Sequence, residues 1–156
     1  MAPRLLILAS LCLLAVLLPA SAQVLYDDGP INGTTDAWTI NFGYIVTDTI
    51  TLAQKSTVGG LDLGVWKYPG DQVLTVDWSI TSEPFGGTMY GMGTASVTDM
   101  FISVNQYGYD IDELRATKIS GPTLNAGTYW LNLQNAVTKQ GQSAVLGQEQ
   151  RSGPQR

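Results

Sequence analysis

Five aspartates are the residues of this 156-residue chain whose type and spacing point most directly to chemistry. Asp27, Asp28 and Asp36 surround Asn32 in one turn-rich stretch, and Asp110 and Asp112 follow Tyr107-Gly108-Tyr109. Calcium takes clustered carboxylate and carbonyl oxygens, so both groups are candidate calcium ligands, although neither has the EF-hand spacing. The competing reading is ordinary turn and cap chemistry, to which Asp and Asn are suited. On a strand, Asp110 and Asp112 share one face, where like charges repel and a cation would relieve them. Paired carboxylates could also hydrolyse a glycoside if held about 5–10 Å apart, a distance that sequence does not give. No histidine is present. That removes the commonest general base and transition-metal ligand, and with it any Ser-His-Asp triad. A Ser-Lys arrangement through Lys55 or Lys67 is open by composition, but nothing in the sequence marks either lysine as buried.

Aromatic residues offer a second chemistry. Trp38, Trp66, Trp78 and Trp130 could stack on sugars, and Tyr107 and Tyr109 could do the same from their loop. All four tryptophans lie in strand-like runs with apolar same-face neighbours, so core packing is the expectation for them. Met89, Met92 and Met100 read as gap fillers or loop residues. Asn32-Gly33-Thr34 matches a glycosylation acceptor.

The elements that position these residues are strands. Alternation rich in β-branched and aromatic residues runs over 37–42, 44–52, 61–68, 73–81, 94–105 and 127–132. In 73–80, Leu74, Val76, Trp78 and Ile80 form the expected buried face. Turn residues punctuate the runs, as in Asn32-Gly33, Pro69-Gly70-Asp71 and Asn125-Ala126-Gly127. Residues 113–118 fit one turn of helix or a strand equally well. The expected architecture is all-β: a single, mostly antiparallel β-sandwich of jelly-roll type.

The N-terminus reads as a signal peptide over residues 1–22. Arg4 precedes an uncharged apolar run, Leu5 to Leu18, and Pro19-Ala20-Ser21-Ala22 places small residues before a cut at Gln23. The run is shorter than the roughly 20 residues of a membrane span. Cleavage removes Cys12, the only cysteine, so disulfides play no part in the mature domain. Residues 23–138 carry 12 acidic and four basic residues, a balance that argues against nucleic-acid binding. Residues 139–156 change abruptly to a glutamine-rich, aromatic-free stretch with a net positive charge. They read as a disordered tail, or as a frameshifted one, since a one-base shift of suitable codons for 144–151 gives a Tyr-Trp-Asp segment. If a strand were lost there, a neighbouring edge would be left unpaired.

The phrases Val24-Leu25-Tyr26-Asp27-Asp28-Gly29-Pro30, Leu61-Asp62-Leu63-Gly64-Val65-Trp66, Val76-Asp77-Trp78-Ser79-Ile80 and 124–136, which contains Ala126-Gly127-Thr128-Tyr129-Trp130-Leu131, stand in that order. Together the phrases in 23–138 resemble a family of bacterial exported proteins that end in a PEP-CTERM sorting tail. The resemblance implies exosortase-type export and a surface or matrix location, and no known enzymatic activity. Its sorting tail, with a Pro-Glu-Pro motif, a transmembrane helix and a basic end, is missing here, which implies release rather than anchoring.

The expected function is therefore non-catalytic: an exported, periplasmic or secreted structural or interaction protein of the envelope or extracellular matrix. Its partner would be a matrix polysaccharide or protein, with no cofactor, no membrane span after signal cleavage and a monomeric state. The alternative is a carbohydrate-binding module, assisted by calcium.

Overall fold

The computed structural model describes residues 24–25, 29–31, 33 and 36–147. Eleven strands and no helix form among them: β1 (Ala37–Thr39), β2 (Ile45–Leu52), β3 (Ser56–Thr57), β4 (Leu61–Lys67), β5 (Val73–Glu83), β6 (Gly86–Ser96), β7 (Thr98–Val104), β8 (Asp110–Ala116), β9 (Thr123–Leu124), β10 (Gly127–Thr138) and β11 (Ala144–Gly147). One sheet has the order β1-β11-β4-β8-β7, the other β2-β10-β5-β6, and β3 pairs with β9. Every pairing is antiparallel.

The pairings nest. β1 takes β11, β2 takes β10, β3 takes β9, β4 takes β8 and β5 takes β6. The chain is one long antiparallel hairpin rolled into two layers, which is the jelly-roll arrangement. The core lies between the layers. It joins Leu63 and Val65 of β4, Val76, Trp78 and Ile80 of β5, Leu114 of β8, and Tyr129 and Leu133 of β10. Burying each large aliphatic of this kind contributes about 1.5–3 kcal/mol.

Nesting explains why the fold runs past residue 138. β11 is the partner of β1 on one side and of β4 on the other, so the roll does not close without it. Ala144 is fully buried. The preceding turn is tied down at several points. Lys139 N–H donates to Gln72 O at 2.8 Å, and Asn41 Nδ2 donates to Gln142 O at 2.9 Å. The buried carboxylate of Asp71 accepts the Gln140 amide at 2.9 Å. Burial pushes Asp71 up, but the backbone donors of Gln72, Gln140 and Gln142, with Thr138, hold it below the usual carboxylate range. The part of the expected tail up to residue 147 is thus integral to the sandwich, with β11 following Thr138. Residues 148–156 lie outside the described residues, as does the 1–22 leader.

Three local expectations are corrected. Leu74 is 40% exposed, whereas Val73 is fully buried. Register shifts where β10 passes β5, with Asn135 at φ 51°, rotate the start of β5 and turn Val73 inward. Residues 94–105 are two strands, not one: the chain leaves the four-stranded sheet at Val97 and enters the five-stranded sheet as β7. Residues 113–116 are strand, within β8. No helix among the described residues is long and apolar enough to cross a membrane.

Candidate functional site

β4 divides the chemistry of the molecule between two sides of one sheet. Leu63 and Val65 belong to the interlayer core, so alternation sends Lys67 inward with them and Trp66 outward. The inward side becomes ionic at this end of the sandwich. Lys67 pairs across the sheet with Asp110, and Val65 with Asp112, which puts both carboxylates on the inner face. Lys67 Nζ lies 3.1 Å from Asp112 Oδ2 and 3.4 Å from Asp110 Oδ2, and the Lys67 and Asp112 side chains are each only 4% exposed. Asp110 Oδ2 also accepts the Gly70 amide at 3.0 Å. Asp99 of β7 completes the cluster, and its Oδ2 accepts Val73 N–H at 2.7 Å, tying one sheet to the other.

Negative charge is in excess here, and an added proton reduces that excess. Three aspartates face one lysine, and Asp99 Oδ1 and Asp112 Oδ1 are both buried without a donor. Burial, together with the adjacent Asp99 carboxyl, pushes Asp112 up to about 7, against the pull of Lys67. A proton held between Asp99 and Asp112 fills the gap that the two orphaned oxygens leave. Burial works against the Lys67 ammonium, but its carboxylate neighbours outweigh this and raise it above the ordinary lysine value. A carboxyl near 7 has the acidity of a general acid. This one lies between the sheets, with no opening to a substrate among the described residues.

The sequence expectation that Asp110 and Asp112 share a strand face holds. The positive charge that relieves them comes from Lys67 rather than requiring a cation. Asp36 stands exposed just before β1. Asp27 and Asp28 lie outside the described residues. Among the described residues no cluster of three or more His, Cys, Asp or Glu is placed to hold a metal ion.

The outward side is an aromatic groove of about 330 Å³, lined by Ala37, Thr39, Trp66, Tyr68, Tyr109, Ser143 and Val145. Register explains its shape. Thr39, Val145 and Trp66 stand in one row across β1, β11 and β4. Small residues on β1 and beside β11 leave a depression, and Trp66 of β4, Tyr68 just after it and Tyr109 just before β8 wall it. Tyr68 and Tyr109 meet edge to face with centroids 5.4 Å apart, and Tyr107 lies 6.1 Å from Trp66. The β7–β8 turn fixes both loop tyrosines, because Asn105 Oδ1 accepts the amides of Tyr107 and Tyr109, each at 3.0 Å. The hydrogen bond and charge of the Tyr68 hydroxyl raise Tyr109 above the ordinary tyrosine value, so the Tyr109 phenol stays a neutral hydrogen-bonding group. Next to Trp66 in the sheet, Ile111 is covered by Gly33, where φ is +63° and an added Cβ would meet Ile111 at 2.6 Å.

The tryptophans therefore divide. Trp78 is core. Trp66 is buried but outside the core, in the groove. Trp130 is half-buried, because Tyr129, Leu131 and Leu133 occupy the inward positions of β10. Trp38 is 59% exposed on the short edge strand β1. Alternation from Leu63 and Val65 was the signal that could have placed Trp66 outward. Nothing local marks Ala37, Thr39, Ser143 or Val145 as its neighbours. Met89 and Met92 are exposed on β6 rather than filling the core.

Comparison with family models, curated proteins and solved structures finds no match to this chain.

Proposed function

We propose that this domain is a non-catalytic, exported binding protein of the bacterial envelope or extracellular matrix, and that its groove takes a saccharide unit of a matrix polysaccharide. The observation that carries the reading is the groove itself. It offers the aromatic surfaces of Tyr68 and Tyr109 beside the buried Trp66, with hydroxyls from Thr39, Ser143 and the tyrosines. Stacking surfaces with a few polar groups are what a sugar ring needs. The location rests on the leader-like residues 1–22 and on the resemblance to exported PEP-CTERM proteins.

A non-catalytic role is favoured because the carboxylates suited to glycoside hydrolysis are turned inward onto Lys67. For the same reason the binding needs no calcium. A glycan array probed with the mature protein, with and without a chelator, tests this. Binding of a defined set of glycans, unchanged by chelation, is the expected result. Binding abolished by chelation would remove the calcium-free reading, and release of reducing sugar from any bound glycan would remove the non-catalytic one.

A further inference from the structure

β6 is the longest open edge among the described strands. The orders of the two larger sheets leave β1, β2, β6 and β7 with one free side each, and they run to 3, 8, 11 and 7 residues; β3 and β9 of the small sheet run to two residues each. Free edges are normally blunted with charge, proline, bulges or brevity. β1 is short, β2 carries Asp48, and β7 carries Asp99. From Gly86 to Thr98 there is no charged residue and no proline. β6 has two register irregularities between Gly86 and Gly91, but Gly91–Ser96 pair in unbroken register with Ile80–Thr75 of β5, so six consecutive residues present a regular edge.

The flank is also apolar. Met89, Tyr90 and Met92 of β6 are exposed, Met92 to 69%. β7 continues β6 on the same flank in the other sheet, where Phe101, Ile102 and Val104 are exposed too. Charge identifies what fits there. The body of the chain, 23–138, carries 12 acidic residues against four basic ones, so copies of it repel over most approaches. The uncharged β6 edge is where a second copy meets the least repulsion, and β6 itself holds no carboxylate to attract a basic partner. An antiparallel strand pair can satisfy a two-fold axis, giving a closed, self-complementary interface.

We propose that β6 pairs antiparallel with β6 of a second copy, joining the two four-stranded sheets into one continuous sheet and covering Met92 and its neighbours. This homodimer replaces the monomer expected from sequence. It lies on β6 rather than on the groove-lining strands, so it stands or falls independently of the saccharide reading. The two grooves of such a dimer would give a matrix polymer two points of attachment.

Sedimentation of the mature protein over a concentration series tests the pairing, with Met92→Glu on the β6 edge and Thr51→Glu on the β2 edge. The expected result is a reversible dimer that Met92→Glu weakens by at least about tenfold and that Thr51→Glu leaves intact. A wild type that stays monomeric up to about millimolar concentration would overturn the proposal, because an interface that weak contributes only about 4 kcal/mol. So would a dimer that Met92→Glu does not weaken, or one that both variants weaken equally. Hydrogen exchange on the unmodified protein gives a second readout. Protection of the 91–96 amides should rise with protein concentration, and protection independent of concentration contradicts β6 pairing.

Discussion

Trp66 and Lys67 are neighbours in β4, yet the regions they serve have opposite characters. Lys67 closes an interior cluster in which every charge is met by another charge, an amide or a proton. Trp66 opens onto a groove whose aromatic edges and hydroxyls meet solvent. The acidic groups that look most reactive in the sequence serve the fold, and aromatic residues that look like core serve the surface. A buried ion cluster costs desolvation and is fragile when one partner is lost. An open aromatic surface contributes little to stability and can be spent on a ligand.

That contrast can be broken most severely at Lys67. Lys67→Ala leaves the buried Asp112 and the largely buried Asp110 without their cation and should cost about 3–5 kcal/mol of stability, read from urea denaturation at pH 7. Lys67→Met combined with Asp112→Leu should recover part of that loss, because Asp112 leaves with its cation while Asp110 and Asp99 keep the amides of Gly70 and Val73. A Lys67→Ala cost below about 1 kcal/mol, typical of a surface change, would mean that the cluster is not closed to water.

A smaller effect should appear in the pH dependence. Asp112 has an ordinary value of 3.8 unfolded and about 7 folded. The folded state therefore keeps a proton that the unfolded state has shed, and Asp112 costs the protein stability as pH rises from about 4 to about 7. Asp71 works in the opposite sense: its contribution is present at neutral pH and lost on acidification. It is common to wild type and Asp112→Asn, so the difference between the two isolates Asp112. Relative to Asp112→Asn, the wild type should lose stability steadily across that window in urea titrations at stepped pH. A flat difference would mean that no proton is held between Asp99 and Asp112.

The smallest effect is expected at Trp38. Removing an exposed side chain from a short edge strand should change stability by no more than about 0.5 kcal/mol, and Trp38→Ala should bind the same glycans as wild type. A large loss by thermal melting would return Trp38 to the core role that its sequence context suggests.

These contrasts follow what was readable in the sequence. β5 was legible because Val76, Trp78 and Ile80 alternate with polar residues. β8 was not, because its inward positions hold Asp110 and Asp112, and their burial depends on a lysine 43 residues away. β11 was hidden for a similar reason. Four residues beside a glutamine-rich stretch carry little local signal, and they become a strand because β1 and β4 leave a slot between them. The groove depends on side-by-side placement of strands from the two ends of the long hairpin. Tyr107 and Tyr109 were visible as sugar-binding candidates, but Ser143 and Val145 were not.

The measurement that tests the central claim most directly is calorimetric titration of the strongest array glycan into wild type and into the double variant Tyr68→Ala/Tyr109→Ala. Losing the two ring contacts should weaken binding by about 10- to 100-fold, roughly 1.4–2.8 kcal/mol. The melting temperature should change little, because Tyr68 is exposed and neither tyrosine belongs to the core. Unchanged affinity in a folded double variant would contradict the assignment of the groove as the binding site.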